Sequence, residues 1–374
     1  MTPTIGILGG GQLGRMLSLA GIPLGLKFRF LEDKPDCPAA PVGEVIVGGY
    51  EDAAALGRFA DGLTVATYEF ENVPATTARW LTDRVPVFPP EAALAVAQDR
   101  LAEKTLFRNL GIGTPEFRSV DDADGLAAAL ASIGFPSVLK TRRLGYDGKG
   151  QWVLRTEADA RSLHAIPPGL ILERFVPFRR ELSIIAARSR TGDEAFFPVT
   201  QNTHRAGILR ESVAPAPGWT DDLQTRAETV ARKVMQSTAY VGVLAIELFE
   251  MPDGSLLANE IAPRVHNSGH WTQNGAGISQ FELHLRAILG WPLGAGPGRR
   301  IPALRPTAML NLLRERPDPS LALSLAGSHA HLYGKPPPRA GERRKIGHVN
   351  ITADDPGTLE ARLEQARRVL APYV

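Results

Sequence analysis

Residues 244–264, LAIELFEMPDGSLLANEIAPR, decide how this chain reads. Two apolar runs flank Asp253-Gly254, a dipeptide suited to the backbone angles of a tight hairpin turn. A two-residue turn there sets Glu247 directly opposite Glu260 on one face of the hairpin. Like charges opposed across a sheet destabilise it, so such a pair either shares a proton or binds a cation. Oxygen ligands with no Cys or His close by suit Mg²⁺, with Mn²⁺ as the second choice, and Mg²⁺ is commonly shared with substrate phosphates. Asn259 adds a neutral polar group beside Glu260. Taken alone, the hairpin also has a duller reading, in which a register slip turns one glutamate to solvent.

Upstream, FPSVLKTRRLGYDGKGQWV (135–153) puts Lys140 at the end of an apolar strand, before Gly145, Gly148 and Gly150. Glycines at this density allow backbone N–H groups to wrap phosphate oxygens, with Arg142, Arg143 and Lys149 neutralising charge. The spacing is not that of a P-loop, and a plain exposed hairpin turn is equally compatible. LILERFVPFRRELSI (170–184) ends one strand on Glu173 and starts the next near Glu181, carboxylates able to accept from ribose hydroxyls or simply to be solvated. At the start, ILGGGQLGRM (7–16) spaces Gly9, Gly11 and Gly14 as in a dinucleotide fingerprint, and Glu32 stands where a ribose-binding acid would. An NAD-dependent oxidoreductase is therefore one reading of the first segment. It leaves the glutamate pair unexplained.

A chain of 374 residues exceeds what one core usually serves, so two or three domains are expected. The first segment alternates strand-like TIGILG, KFRFLE, EVIVGG, LTVATYEF and VPVFPP with helical QLGRMLSLAGIPL and EDAAALGRFA, the pattern of a parallel α/β sheet. From Pro90 a helical pattern runs to Gly111 with a break near Gln98 or Asp99. The strands SVLKTR, QWVLR, LILERFV, ELSIIAARS and AFFPVTQN then follow without regular crossovers, and a helix over 222–240 precedes the hairpin; this is α+β organisation. The Gly- and Pro-rich 290–306 reads as a linker. The expected division is 1–97, 98–295 and 296–374. With 44% hydrophobic and 22% charged residues and a net charge of +2, the composition favours neither nucleic acid nor membrane as partner. The N-terminus shows no export pattern, so a cytoplasmic protein is expected. The single cysteine, Cys37, excludes an internal disulfide and a cysteine-based zinc site.

The order of these parts resembles the ATP-grasp superfamily, in which two α+β lobes clamp ATP. The block NEIAPRVHNSGHWTQNGAGISQFELHLRAILG (259–290), with YEFENVP, GYDGKGQW and RKIGHVN, resembles the N5-carboxyaminoimidazole ribonucleotide synthetases of purine biosynthesis, and the likeness runs from GGGQLGRML to GHVNI. It implies an N-terminal Rossmann-like parallel-sheet domain, a two-lobed ATP-grasp domain and a small C-terminal domain, assembled as a homodimer. The implied reaction consumes ATP and bicarbonate, forms carboxyphosphate, and carboxylates the exocyclic amine of 5-aminoimidazole ribonucleotide.

By the same resemblance Arg100, Lys140, Gly145, Tyr146, Asp147, Gly148, Lys149, Gly150 and Gln151 surround the ATP phosphates. Glu173, Arg174, Phe175 and Val176 line the adenine. Glu181 and His204 complete the nucleotide site, while Glu247 and Glu260, with Asn259 beside them, hold Mg²⁺. Arg264, His266, Asn267 and Lys345 carry the chemistry on bicarbonate, with His266 as the proton handler. The ribonucleotide meets Gly11, Gln12, Leu13, Glu69 and Asn72, with Tyr146 and Asp147 from the flap and Arg264. Lys335, Arg344 and Lys345 bring cations to its phosphate. The competing readings are another ATP-grasp carboxylate–amine ligase, the oxidoreductase, and a nucleotide sensor without turnover.

Overall fold

The computed structural model describes residues 2–145, 149–163, 166–336 and 344–374. The first apolar runs form four parallel strands, β1 (Thr4–Leu8), β2 (Lys27–Glu32), β3 (Glu44–Val47) and β4 (Val65–Tyr68), in the order β3-β2-β1-β4. Three helices follow strands of this sheet: α1 (Gln12–Gly21), α2 (Ala53–Ala60) and α3 (Ala75–Thr82). Asp52 caps α2 by accepting the Ala54 and Ala55 N–H groups. The strand expected in VPVFPP is reduced to one parallel bridge, Ala66 to Val87, because prolines on both sides cannot donate to a ladder. The expected helix break is real. α4 (Glu91–Ala97) ends before Asp99, whose carboxylate caps α5 (Arg100–Asn109) through the Leu101 N–H.

A small antiparallel sheet follows, ordered β5-β8-β6-β7, from β5 (Phe117–Val120), β6 (Ser137–Thr141), β7 (Gln151–Leu154) and β8 (Leu170–Arg174), with α6 (Ala123–Ile133) and α7 (Glu157–Arg161). β5 and α6 were not expected from the sequence. The exposed Arg118 and Ser119 in the middle of β5 erase its apolar signal.

The large sheet contains β9 (Arg180–Arg188), β10 (Glu194–Phe196), β11 (Thr200–Arg205), β12 (Ile208–Ala214), β13 (Gly242–Glu250), β14 (Leu256–Ala262), β15 (Thr307–Leu312), β16 (Ser328–Leu332) and β17 (Gly347–Thr352). Its order is β14-β13-β9-β11-β12-β15-β17-β16, with β10 paired to β9. Pro198 splits the expected AFFPVTQN strand into β10 and β11. One face of β9 and β13 (Leu182, Ile184, Leu244, Ile246) packs on α8 (Asp221–Ser237) through Leu223, Ala227 and Val234. The alternate residues, Ile185, Val243 and Ala245, share a core with α1 and, beyond the short α9 (Thr272–Gly275), with α10 (Gln280–Leu289). That second core fastens the N-terminal sheet to the large one and puts the ends of β1 and β4 beside the β13–β14 hairpin. Residues after the linker join the same sheet, since β12 pairs with β15 from Glu211–Leu310 to Ala214–Thr307.

Candidate active site

Glu247 and Glu260 are opposed, by a different route from the expected one. The turn holds three residues, Pro252, Asp253 and Gly254, with Gly254 at φ +83° and its N–H on the Met251 carbonyl. Pairs near the turn, such as Glu250 with Leu256, therefore lie one residue out of the expected register. Asn259 then stands as an extra residue, a β-bulge, and restores Glu247 to Glu260. Asn259 Oδ1 is left buried with no partner among the described residues.

The two carboxylates differ. Burial, and then the Glu260 charge, pushes the Glu247 carboxyl up to about 7. Desolvation opposes a charge on the half-buried Glu260 as well, but Arg100, with Nη1 at 3.1 Å, holds it below the usual range. Two imidazoles face Glu247: His204 Nε2 at 4.0 Å and His266 Nε2 at 3.7 Å. Burial opposes a charge on His204, yet its 2.9 Å contact with Glu181 and the nearby Glu247 raise its pKa overall. Burial, and then Arg264, drives His266 well below its ordinary value. The Ser268 N–H points at His266 Nδ1 from 3.3 Å, so the neutral ring carries its proton on Nε2, toward Glu247.

Cations line the opposite wall. Lys140 Nζ reaches Glu173 Oε2 at 2.8 Å. Burial alone would raise the Glu173 pKa, but Lys104 and Lys140 bring it down to about 2. Arg100 also donates to the Gly145 carbonyl at 3.4 Å, joining the hairpin to the root of the glycine-rich segment. Gly150 has φ +70°, and a Cβ there would meet Thr141 Oγ1 at 2.6 Å, so this turn requires glycine. Arg264 is bound by Glu71, a residue the sequence did not single out.

The opening glycines resolve differently from a dinucleotide site. Glu69 Oε1 accepts the Gly11 N–H at 2.6 Å and Oε2 the Gly14 N–H at 2.9 Å, while Glu32 takes the Gly10 N–H at 2.9 Å. Carboxylates of the chain itself occupy the amides that a pyrophosphate would need. The Gly11 amide, expected at the ribonucleotide, faces Glu69.

One cavity of about 670 Å³ collects most of the expected residues. Gln12, Leu13, Glu69 and Asn72 line it from the N-terminal sheet; Arg100, Lys140, Gly145, Gln151, Glu173, Arg174, Phe175 and Val176 from α5 and the small lobe. The large lobe contributes Glu181, His204, Glu247, Asn259, Glu260, Arg264, His266 and Asn267, and the C-terminal segment Lys345. Both polar atoms of the Asn267 amide are buried without a partner among the described residues. Lys335 donates to the Lys345 carbonyl at 3.1 Å. Lys149, Gly150 and Arg344 are not among the lining residues, and Tyr146, Asp147 and Gly148 lie outside the described residues. Phe178 stacked on Phe249, with centroids 4.6 Å apart, adds an apolar wall that no local motif marked.

The donor set suits a hard divalent cation. Two carboxylates and an orphaned amide oxygen are all-oxygen ligands, and a cation between the glutamates would offset the burial and the Glu260 charge that raise the Glu247 carboxyl. No group of three or more His, Cys, Asp or Glu arranged for a metal occurs among the described residues, so further ligands would come from water or phosphate. No helix among the described residues is long and apolar enough to cross a membrane.

Three family models match the chain: a ribonucleotide synthetase preATP-grasp domain over 1–98, an ATP-grasp domain over 105–281, and a phosphoribosylaminoimidazole carboxylase C-terminal domain over 307–362. The N5-carboxyaminoimidazole ribonucleotide synthase of Pseudomonas aeruginosa is 48% identical over 370 residues, covering 98% of this chain and 99% of that one. The crystal structure of N5-carboxyaminoimidazole ribonucleotide synthetase from Thermus thermophilus superimposes with a TM-score of 0.91 at 51% identity, covering 98% of each chain. The Aspergillus clavatus enzyme, solved in complex with ADP and 5-aminoimidazole ribonucleotide, gives 0.90 at 27% identity over 99% of each.

Proposed function

This chain belongs to the N5-carboxyaminoimidazole ribonucleotide synthase family of ATP-grasp carbon–nitrogen ligases, and from that premise we propose how its cleft works. The protein uses ATP and bicarbonate to carboxylate the exocyclic amine of 5-aminoimidazole ribonucleotide, releasing ADP and phosphate in purine biosynthesis. The observation that carries the reading is the opposed Glu247–Glu260 pair facing Lys140 and Arg100 across one cavity.

Glu247, Glu260 and Asn259 hold Mg²⁺ or Mn²⁺, which when bound supplies positive charge to the ATP phosphates. Lys140, Arg100 and the Gly145 and Gln151 amides neutralise the transferring phosphoryl group, and the closed cleft keeps water from it. Excluding water is central here, because carboxyphosphate formed in the open is lost to hydrolysis. Glu181 and His204 take the ribose, and Phe178 with Phe249 flank the base. Arg264 and the unsatisfied Asn267 amide orient bicarbonate. His266 enters the cycle as a neutral ring presenting Nε2–H to the reacting oxygens. The ribonucleotide lies against Gln12, Leu13, Glu69 and Asn72, with Lys345, Lys335 and Arg344 toward its phosphate. The same reading divides the chain at 1–97, 98–295 and 296–374 and makes it a cytoplasmic homodimer.

The experiment is ADP release with Mg²⁺ and bicarbonate, with and without 5-aminoimidazole ribonucleotide. Stimulation by the ribonucleotide that disappears in Glu260→Gln supports the assignment. Equal release with and without it would point to a different amine substrate.

A further inference from the structure

Lys104 is completely buried, which an unpaired ammonium would not tolerate, and none of the chemistry above uses it. It sits on α5, which runs along the outer edge of β14, the last strand of the large sheet. An edge strand exposes backbone groups with no ladder partner. Here α5 supplies them. Glu103 accepts the Ile261 N–H, and Lys104 Nζ donates to the Asn259 carbonyl at 2.7 Å, next to the Ala258 carbonyl at 3.5 Å. These contacts bracket Glu260. The same ammonium lies 3.7 Å from Glu173 Oε2, which belongs to β8 in the other sheet. Lys140 touches that same oxygen, while Glu173 Oε1 is buried with no partner among the described residues.

We propose that Lys104 is a positioning residue that couples the two lobes around the nucleotide. It ties Glu173 to the backbone that carries Glu260 and remains as the fixed counterion of Glu173 when Lys140 moves to the ATP phosphates. The inference rests on the assignment of this cleft to ATP. An edge cap alone would need only the Asn259 and Ala258 carbonyls. The contact with a carboxylate of the opposite lobe is what an edge cap leaves unexplained.

The test uses full-length Lys104→Gln, whose amide can still donate to the edge carbonyls but carries no charge, together with Lys104→Met, Glu173→Gln and the double variant Lys104→Gln/Glu173→Gln. The expected result is a KM for ATP raised about tenfold in Lys104→Gln, with the KM for the ribonucleotide changed less than about twofold, a coupling in the range of neighbouring residues. In the Glu173→Gln background the same substitution should have little further effect. Fully independent effects, or a lowered melting temperature with an unchanged KM for ATP, would overturn the proposal and leave a structural cap. Titrating the same variants with ADP in the absence of the ribonucleotide reads the coupling even if the amine substrate is wrongly assigned. If wild type binds no ADP, the cleft assignment itself fails.

Discussion

Arg264 shares its place with Glu71 across two domains, and each depends on the other for burial. Burial would raise the Glu71 pKa, but Arg264 holds it lowered. Its contribution to stability is therefore present above its ordinary value and lost as pH falls through the depressed one. Glu71→Gln leaves the guanidinium without a counter-charge and should cost about 1–3 kcal/mol, measured by urea unfolding at neutral pH. A raised KM for bicarbonate should accompany it, because Arg264 loses its fixed orientation. Glu247 works in the opposite sense. Its carboxyl rises from 4.5 to about 7 in the fold, so its favourable contribution is complete below 4.5 and is lost as pH rises through 7. By pH 8 the ligand-free fold bears a cost of about 3 kcal/mol from this residue. Glu247→Gln should thus stabilise the ligand-free protein, by more at pH 8 than at pH 5.5, while abolishing turnover. Unfolding curves at the two pH values check it, and a variant less stable than wild type at pH 8 would refute it.

The β13–β14 hairpin shows how far local sequence reaches. Two apolar runs around Asp253-Gly254 were enough to find the strands and the opposed glutamates. They were not enough to find the three-residue turn or the bulge at Asn259, two departures that cancel at Glu260. The bulge is set by partners distant in sequence: Gly113 accepts the Ala258 N–H, Thr114 Oγ1 donates to the Ala258 carbonyl at 2.9 Å, and Glu103 and Lys104 take the groups around Glu260. β5 escaped for a related reason, since its exposed centre pairs with β8 through backbone alone. The bulge yields a prediction of its own. Asn259 Oδ1 makes no hydrogen bond among the described residues, so Asn259→Ala removes no partner and should leave the ligand-free fold no less stable than wild type. The Mg²⁺ concentration giving half-maximal turnover should nonetheless rise severalfold. An unchanged Mg²⁺ requirement would remove Asn259 from the metal site.

At the scale of the whole molecule, the cleft is built where three sheet segments converge, and each segment carried a readable piece of it. Lys140 and Glu173 announced themselves at strand ends, Glu247 and Glu260 by their register across the hairpin, and Arg264 by following the second glutamate, yet which of Glu69 and Glu71 would meet Arg264 is fixed only when the N-terminal sheet packs on the large one. The opening glycines illustrate the same limit. Their spacing fits a pyrophosphate as well as it fits two internal carboxylates, and only the return of β4 beside β1 brings Glu69 onto Gly11 and Gly14. A Cβ on Gly11 would sit 2.2 Å from Glu69 Oε1, so that glycine makes room for a carboxylate. The two ligand classes then part in one measurement on the intact protein. ADP with Mg²⁺ should raise unfolding stability by about 2.7 kcal/mol at a hundredfold excess over its Kd. NADH at the same concentration should leave the unfolding curve unmoved, because Glu69 and Glu32 already hold the Gly10, Gly11 and Gly14 amides and would repel its pyrophosphate. Stabilisation by NADH that survives saturation with ADP would mean that those carboxylates leave the glycines, and the N-terminal sheet would then be a dinucleotide site after all.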